Sequence, residues 1–233
     1  MKRTGLKNRK LPDYTRGEEI FNMVSHIVGG AFGIVALVLC LITSILKGNP
    51  WSIVSSVVYG VSMVLLYTMS SVYHGLLPEM AKKVMQVLDH CTIYLLIAGT
   101  YTPIALCAIR PGYPAWGWAL FGGVWAIAIV AIVFTAIDLK KYAVLSMICY
   151  IGMGWCVVLA AVSYTHLTLA ADPVLKTIPV PGLIWLLAGG IAYTMGAILY
   201  GLGRKHRYMH SVFHLFVLAG SILHFVCIFV YII

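Results

Sequence analysis

The stretch RKHRYMHSVFHLFVLAGSILHFVCIFVYII, residues 204–233, joins a basic cluster, two histidines and an apolar run long enough to cross a bilayer. His210 and His214 are four residues apart, so they lie on one face of a helix, one turn from each other. Two imidazoles at this spacing can share a metal ion. Because histidines inside a membrane-spanning helix are costly, they indicate a functional site with partners elsewhere in the chain.

The composition is that of a membrane protein. The chain has 233 residues, of which 61% are hydrophobic and 10% are charged, and no soluble domain of this size could bury so much apolar surface. A net charge of +9 would suggest nucleic acid binding in a soluble protein, but here we expect membrane lipids as partners and no nucleic acid. The six cysteines lie in apolar runs without CxxC spacing, which indicates small core residues.

Seven apolar runs, each of the roughly 20 residues that a membrane-spanning helix requires, predict seven transmembrane helices joined by short loops. The runs are 22–46, 51–77, 86–109, 116–137, 142–163, 182–203 and 209–232. We therefore expect an all-α integral membrane bundle. Residues 1–21 are predicted to be an uncleaved cytoplasmic N-terminal tail, and residues 22–233 the transmembrane domain.

The distribution of basic residues predicts the orientation of this bundle. Of the 16 Lys and Arg residues, only three lie in the first, third and fifth loops, namely Lys47, Arg110 and Lys176. The other basic residues lie in the N-terminal tail and in the remaining loops, so the N-terminus is expected in the cytoplasm and the C-terminus outside. We expect a multi-pass protein of the bacterial plasma membrane.

With this topology, polar side chains of several helix ends reach one membrane depth near the cytoplasm. His74, His210 and His214 predict a zinc site with one open position. Asp89 is expected to be a fourth ligand, directly or through water, or the general base that takes a proton from water. Ser70, one turn before His74, could hydrogen-bond the water or an oxyanion. Asp89 and Ser70 are thus the candidate catalytic residues, and other divalent ions would also suit the histidines.

Simpler interpretations of the same residues stay open at this point. Histidines near a helix start can contact lipid phosphates, and Asp89 can be an acidic residue favoured by the helix dipole. Glu18, Asn22 and His26 step by four along one face. They are either a helix cap with a first-turn acid, or residues that contact His74, His210 and His214 and orient or cover them. The remaining histidines in apolar segments, His90, His166 and His224, are interpreted as structural, with His224 a hydrogen-bonded interior residue.

Five motifs in order resemble one known family. They are EExxNxxSHxxG at 18–29, SxxxH at 70–74, DHxxIYLLIAGTYTP at 89–103, LAGGIAY at 187–193 and HxxxH at 210–214. The chain resembles, over nearly its whole length, the hemolysin III branch of the progestin and adipoQ receptor family, seven-helix proteins related to the alkaline ceramidases. The resemblance implies that His74, His210 and His214 bind zinc and that Asp89 contacts it through water. The stretch 162–170 looks longer and more polar than the family pattern, as an insertion would.

Three functions follow as hypotheses. The first is a zinc-dependent, ceramidase-like hydrolase of a lipid amide or ester, with the lipid entering from the bilayer. The second is a non-enzymatic membrane sensor or homeostasis protein in which zinc is structural. The third is the cytolysin or pore that the family name implies, which the lack of an amphipathic pore-forming stretch disfavours.

Overall fold

The computed structural model describes residues 4–162, 171–202 and 206–233, with only the backbone described at 157–162 and 171–172. Within these residues the regular structure is helical and no strand occurs. This confirms the all-α prediction. Most of the suspected insertion at 162–170, together with His166, lies outside the described residues, and residue 162 ends a helix.

Eight α-helices lie in the described part of the chain. They are α1 (Arg16–Leu46), α2 (Pro50–Gly75), α3 (Glu79–Pro103), α4 (Pro114–Ile137), α5 (Ala143–Val162), α6 (Ala171–Thr177), α7 (Val180–Leu202) and α8 (Met209–Tyr231). A 3₁₀ turn, Leu6–Asn8, precedes α1, and a π-helical segment, Ile104–Ile109, continues α3. Six helices are long and apolar enough to cross a membrane, and α5, with 20 residues, is the seventh. The predicted seven-helix membrane bundle is confirmed.

Two helices begin earlier than the apolar runs suggest. Helix α1 begins at Arg16 rather than at residue 22, and α3 begins at Glu79 rather than at residue 86. Thr15 caps α1 in a capping box with Glu18, which starts the helix in polar sequence. Hydropathy marks only the apolar part of a helix, so residues 16–21 of the predicted tail belong to α1.

Helix α6 was not predicted, because it lies in a segment that the sequence indicates is a loop. It has seven residues, about two turns, which is too short to show a helical hydrophobic period.

The bundle interior consists of two apolar clusters. One surrounds Tyr94 and Ala128 between α3, α4 and α5, and the other surrounds Ala36 and Met63 between α1, α2 and α8. Helices α1 and α2 approach closely at Gly29, where a Cβ atom would collide with the ring of Tyr67. Helix α8 packs along α7 and also against α1, whereas α5 and α7 make few contacts within the described part of the chain.

The packing brings four helix ends together at one end of the bundle: the starts of α1, α3 and α8, and the end of α2. Residues 4–15 run across this end. The N–H of Thr4 donates to Asp138 after α4, and Lys83 of α3 donates to the carbonyl of Lys7. Which side of the membrane this end faces stays a prediction from the distribution of Lys and Arg.

Candidate metal centre

Three histidines converge at this end of the bundle. His74 lies in the last turn of α2, and His210 and His214 lie in the first two turns of α8. The Nε2 atom of His210 is 3.3 Å from Nε2 of His74 and 3.1 Å from Nε2 of His214. Two nitrogens bound to one tetrahedral zinc ion are about 3.3 Å apart, since each is about 2.0–2.1 Å from the metal. The three side chains therefore form a group that could hold a metal ion.

A carboxylate sets the orientation of His74. Nδ1 of His74 donates a hydrogen bond of 2.6 Å to Oε2 of Glu19, and Oε1 of Glu19 forms an ion pair of 2.7 Å with Nζ of Lys82. A carboxylate can only accept, so Nδ1 carries the hydrogen and Nε2 presents its lone pair to the other two histidines. Glu19 thus joins α1 to α2, and Lys82 extends this contact to α3.

The three predicted supporting residues act in different ways. Glu18 accepts a hydrogen bond of 2.6 Å from the N–H of Tyr208 and others from Thr15, so it holds the start of α8 against α1. The ring of His26 stacks on His214 with centroids 3.7 Å apart. Asn22 is fully buried, and its backbone carbonyl lies beside His214 without a hydrogen bond of good geometry.

Asp89 and Ser70 line one cavity together with His210 and His214. Both are buried, and the Ser70 side chain interacts with the Asp89 carboxylate. Asp89 is outside the group of nitrogen atoms that lie within 4.8 Å of one another. The structure therefore places the two candidate catalytic residues next to the histidine group and not within it.

Tyr14 covers the histidines from the end of the bundle. Its ring stacks on His210 with centroids 5.0 Å apart and planes at 11°. The centroid of its ring is also 5.8 Å from that of His74. Burial raises the pKa of the Tyr14 hydroxyl. The ring centroid of Tyr200 lies 5.4 Å from the ring centroid of His210.

A cavity of about 160 Å³ leads from the histidines into the bundle. Its walls come from α1, α2, α3, α5, α7 and α8, and its lining is mostly apolar. His224 lines the cavity away from the histidines and donates a hydrogen bond of 3.1 Å from Nε2 to the carbonyl of Leu186, as an interior residue would. The arrangement joins a metal-type group of nitrogen ligands to a space that suits an apolar chain.

Comparison with known proteins agrees with this architecture. The family model described as Haemolysin-III related matches residues 14–225. The chain belongs to the hemolysin III family. It is 38% identical to "Hemolysin-3" of Bacillus cereus over 215 residues, and the match covers 92% of each protein. It is 35% identical to the "Hemolysin-3 homolog" of Bacillus subtilis over 218 residues, and the match covers 94% of this chain and 96% of the relative.

A more distant relative is the human "Monocyte to macrophage differentiation factor", 24% identical over 194 residues, or 80% of this chain and 74% of that protein. The family match spans the whole histidine group, from Tyr14 to His214 and beyond to His224. The apolar helices and the bacterial relatives support a multi-pass integral membrane protein of the bacterial plasma membrane.

Sequence reasoning missed three residues of this hemolysin III site: Tyr14, Glu19 and Lys82. Glu19 belongs to the motif at 18–29 and is the neighbour of Glu18, the first of the three residues that step by four along one face. Tyr14 and Lys82 lie in segments that carry no periodic signal. Their contacts arise from the way the helix ends meet.

Proposed function

We propose that this hemolysin III protein binds zinc and hydrolyses an amide or ester bond of a membrane lipid, as a ceramidase does. The observation that carries the proposal is the convergence of three imidazoles, two of which, those of His210 and His214, line an apolar cavity. Three neutral nitrogen ligands leave one position open, which is the ligand set of catalytic zinc sites. When bound, zinc supplies Lewis-acid polarisation of a carbonyl and makes water more acidic.

The residues of the chain have distinct roles in this proposal. Glu19 holds the hydrogen on Nδ1 of His74, so that the ring stays oriented and Nε2 presents its lone pair to the other two histidines. Asp89 takes the proton of the attacking water, and Ser70 orients the Asp89 carboxylate or donates to the developing oxyanion. Tyr14 keeps bulk water away from the histidines on the side opposite the cavity.

We propose that the lipid chain enters from the bilayer between α5 and α7. These helices touch at few points, and both contribute lining residues to the cavity. At Gly154 of α5 and Gly190 of α7, a Cβ atom would meet open space. Both glycines line the cavity, so the space beside them is available to an acyl chain.

The test is lipid turnover by the purified, zinc-loaded protein in liposomes, followed as released fatty acid by mass spectrometry. We expect wild type to release fatty acid from an N-acyl lipid or its ester counterpart, and His74→Ala to reduce release to background. His206→Ala, a change of an exposed histidine outside the group, should keep full turnover. If the protein binds zinc and His74→Ala leaves the turnover of every lipid unchanged, the hydrolase proposal is wrong.

The geometry also favours a second candidate, a structural zinc in a non-enzymatic membrane protein. The three histidines belong to α2 and α8, so a shared ion would join two helices that are far apart in sequence. In that case a chelator lowers the melting temperature of wild type, but not of His214→Ala, and no lipid is hydrolysed. Zinc-dependent lipid hydrolysis would reject this second candidate.

A further inference from the structure

His90 lies next to Asp89 in α3 and outside the three-histidine group. Its Nδ1 atom is 2.8 Å from the backbone carbonyl of Gln86. A carbonyl oxygen only accepts hydrogen bonds, so Nδ1 carries the hydrogen. In the neutral ring, Nε2 then has a lone pair and can act as an acceptor.

The side chain of His90 lies at the cavity. The side chain of His90 keeps 23% of its surface exposed, and it lines the same cavity as Ser70 and Asp89. No described residue forms a hydrogen bond with Nε2 of His90. Among the described residues, Nε2 of His90 is not one of the buried polar atoms that lack a hydrogen-bond partner. Since it also has no partner, this nitrogen is accessible and is not enclosed by protein.

Several contacts fix where this acceptor lies. The hydroxyl of Tyr150 donates a hydrogen bond of 2.9 Å to the carbonyl of His90, which ties α3 to α5 at this level. Nδ1 of His90 is 3.6 Å from the Asp89 carboxylate. A ligand group that reaches Asp89 is therefore close to the His90 ring. The acceptor is built into the cavity wall, beside the candidate general base.

We propose that Nε2 of His90 accepts a hydrogen bond from an N–H or O–H group of the lipid in the cavity, so that the site prefers a lipid amide over the matching ester. The inference rests on the proposed function, because a lipid carbonyl held at the histidines places its own amide N–H beside Asp89 and His90. The ester oxygen at the same place in an ester has no hydrogen to donate. His90 is thus a specificity-determining residue of the site.

The test compares two ligands that differ at one atom, N-octyl palmitamide and octyl palmitate. Binding to zinc-loaded protein in nanodiscs is measured by displacement of a fluorescent fatty-acyl probe, with mass spectrometry of the same samples to check for hydrolysis. In wild type the amide should bind more tightly than the ester. His90→Phe keeps a ring in the cavity wall but removes the acceptor, and it should weaken amide binding about five- to tenfold while changing ester binding less than about twofold.

The two ligands serve as controls for each other, because a general disturbance of the fold would weaken both. If His90→Phe does not purify with its metal, His90→Leu is measured in the same way. Equal losses for amide and ester, or no loss for either, would overturn the role of His90 while leaving the lipid proposal intact. Failure of wild type to bind either ligand would instead reject the lipid function, and this inference with it.

Discussion

At the scale of single residues, Glu19 decides which nitrogen of His74 faces the other two histidines. A neutral imidazole has one donor and one acceptor nitrogen, and the partner of one nitrogen determines what the other can do. The hydrogen bond of 2.6 Å to Glu19 fixes Nδ1 as the donor, and Lys82 keeps the carboxylate in place. By contrast, Nδ1 of His210 and Nδ1 of His214 have no hydrogen-bond partner among the described residues.

The change Glu19→Gln is therefore expected to weaken zinc binding about 10- to 100-fold, the usual effect of losing a carboxylate that orients a metal-binding histidine. The measurement is competition for zinc against a chromophoric chelator. Glu79→Gln is the matched control, since Glu79 is an exposed acid at the same end of the bundle that pairs with Lys83. Equal zinc affinities for the two variants would show that Glu19 does not orient His74.

The sequence predicts the three histidines but not Glu19, and the reason is geometric. His210 and His214 follow from helical spacing, and His74 follows from the topology of the spans. Glu18 and Glu19 are neighbours in α1, and their side chains point in directions about 100° apart on an ideal helix. Which of them reaches His74 depends on the rotation of α1 about its axis, which the packing of α1 on α2 determines.

At the scale of elements, residues 4–15 form a cover over the histidine end of the bundle. Tyr14 stacks on His210, and Thr15, the next residue, caps the start of α1. Composition predicted a polar tail here, and hydropathy gives no information on where such a segment lies. The structure assigns it to the helix ends through specific hydrogen bonds.

Removing the aromatic ring, as in Tyr14→Ala, should speed the loss of bound zinc to a chelator about two- to tenfold, since a stacked aromatic pair contributes about 0.5–1.5 kcal/mol. Stopped-flow mixing with a fluorescent chelator measures this rate. Tyr142→Ala, a change in a tyrosine that packs on Phe134 rather than on a histidine, provides the control. Unchanged release from Tyr14→Ala would mean that the ring does not limit access to the site.

The anchor of this segment at Asp138 should depend on pH. Hydrogen bonds from the backbone N–H of Thr4 and of Lys141 lower the pKa of the Asp138 carboxyl. The unfolded value is about 3.9. A lowered folded-state pKa stabilises the contact at pH values above the unfolded pKa, and this stabilisation is lost as the pH falls through the folded pKa.

Hydrogen–deuterium exchange in residues 4–15, corrected for intrinsic rates, should therefore be constant from neutral pH to about 5 and should rise below about 4. Asp138→Asn should exchange faster than wild type already at neutral pH. It should also lose the acid-dependent rise. Identical pH profiles for the two proteins would contradict the role of Asp138 as an anchor.

At the scale of the whole molecule, the bilayer makes the fold predictable and leaves the cavity unpredictable. Each backbone polar group in the hydrocarbon core must be satisfied internally, so seven apolar runs in this chain become seven helices. The pattern of apolar residues along the sequence does not indicate where two neighbouring helices lie far enough apart to leave a cavity. The sparse contact between the described parts of α5 and α7 comes from three-dimensional packing and could not be inferred from the apolar runs.

Both proposed functions require that His74, His210 and His214 bind one metal ion. The most direct measurement is elemental analysis of purified wild type beside His214→Ala. We expect about one zinc per chain in wild type and loss of that zinc in the variant. Wild type that contains no metal, or a variant that keeps the same content, would contradict the metal centre and every function built on it.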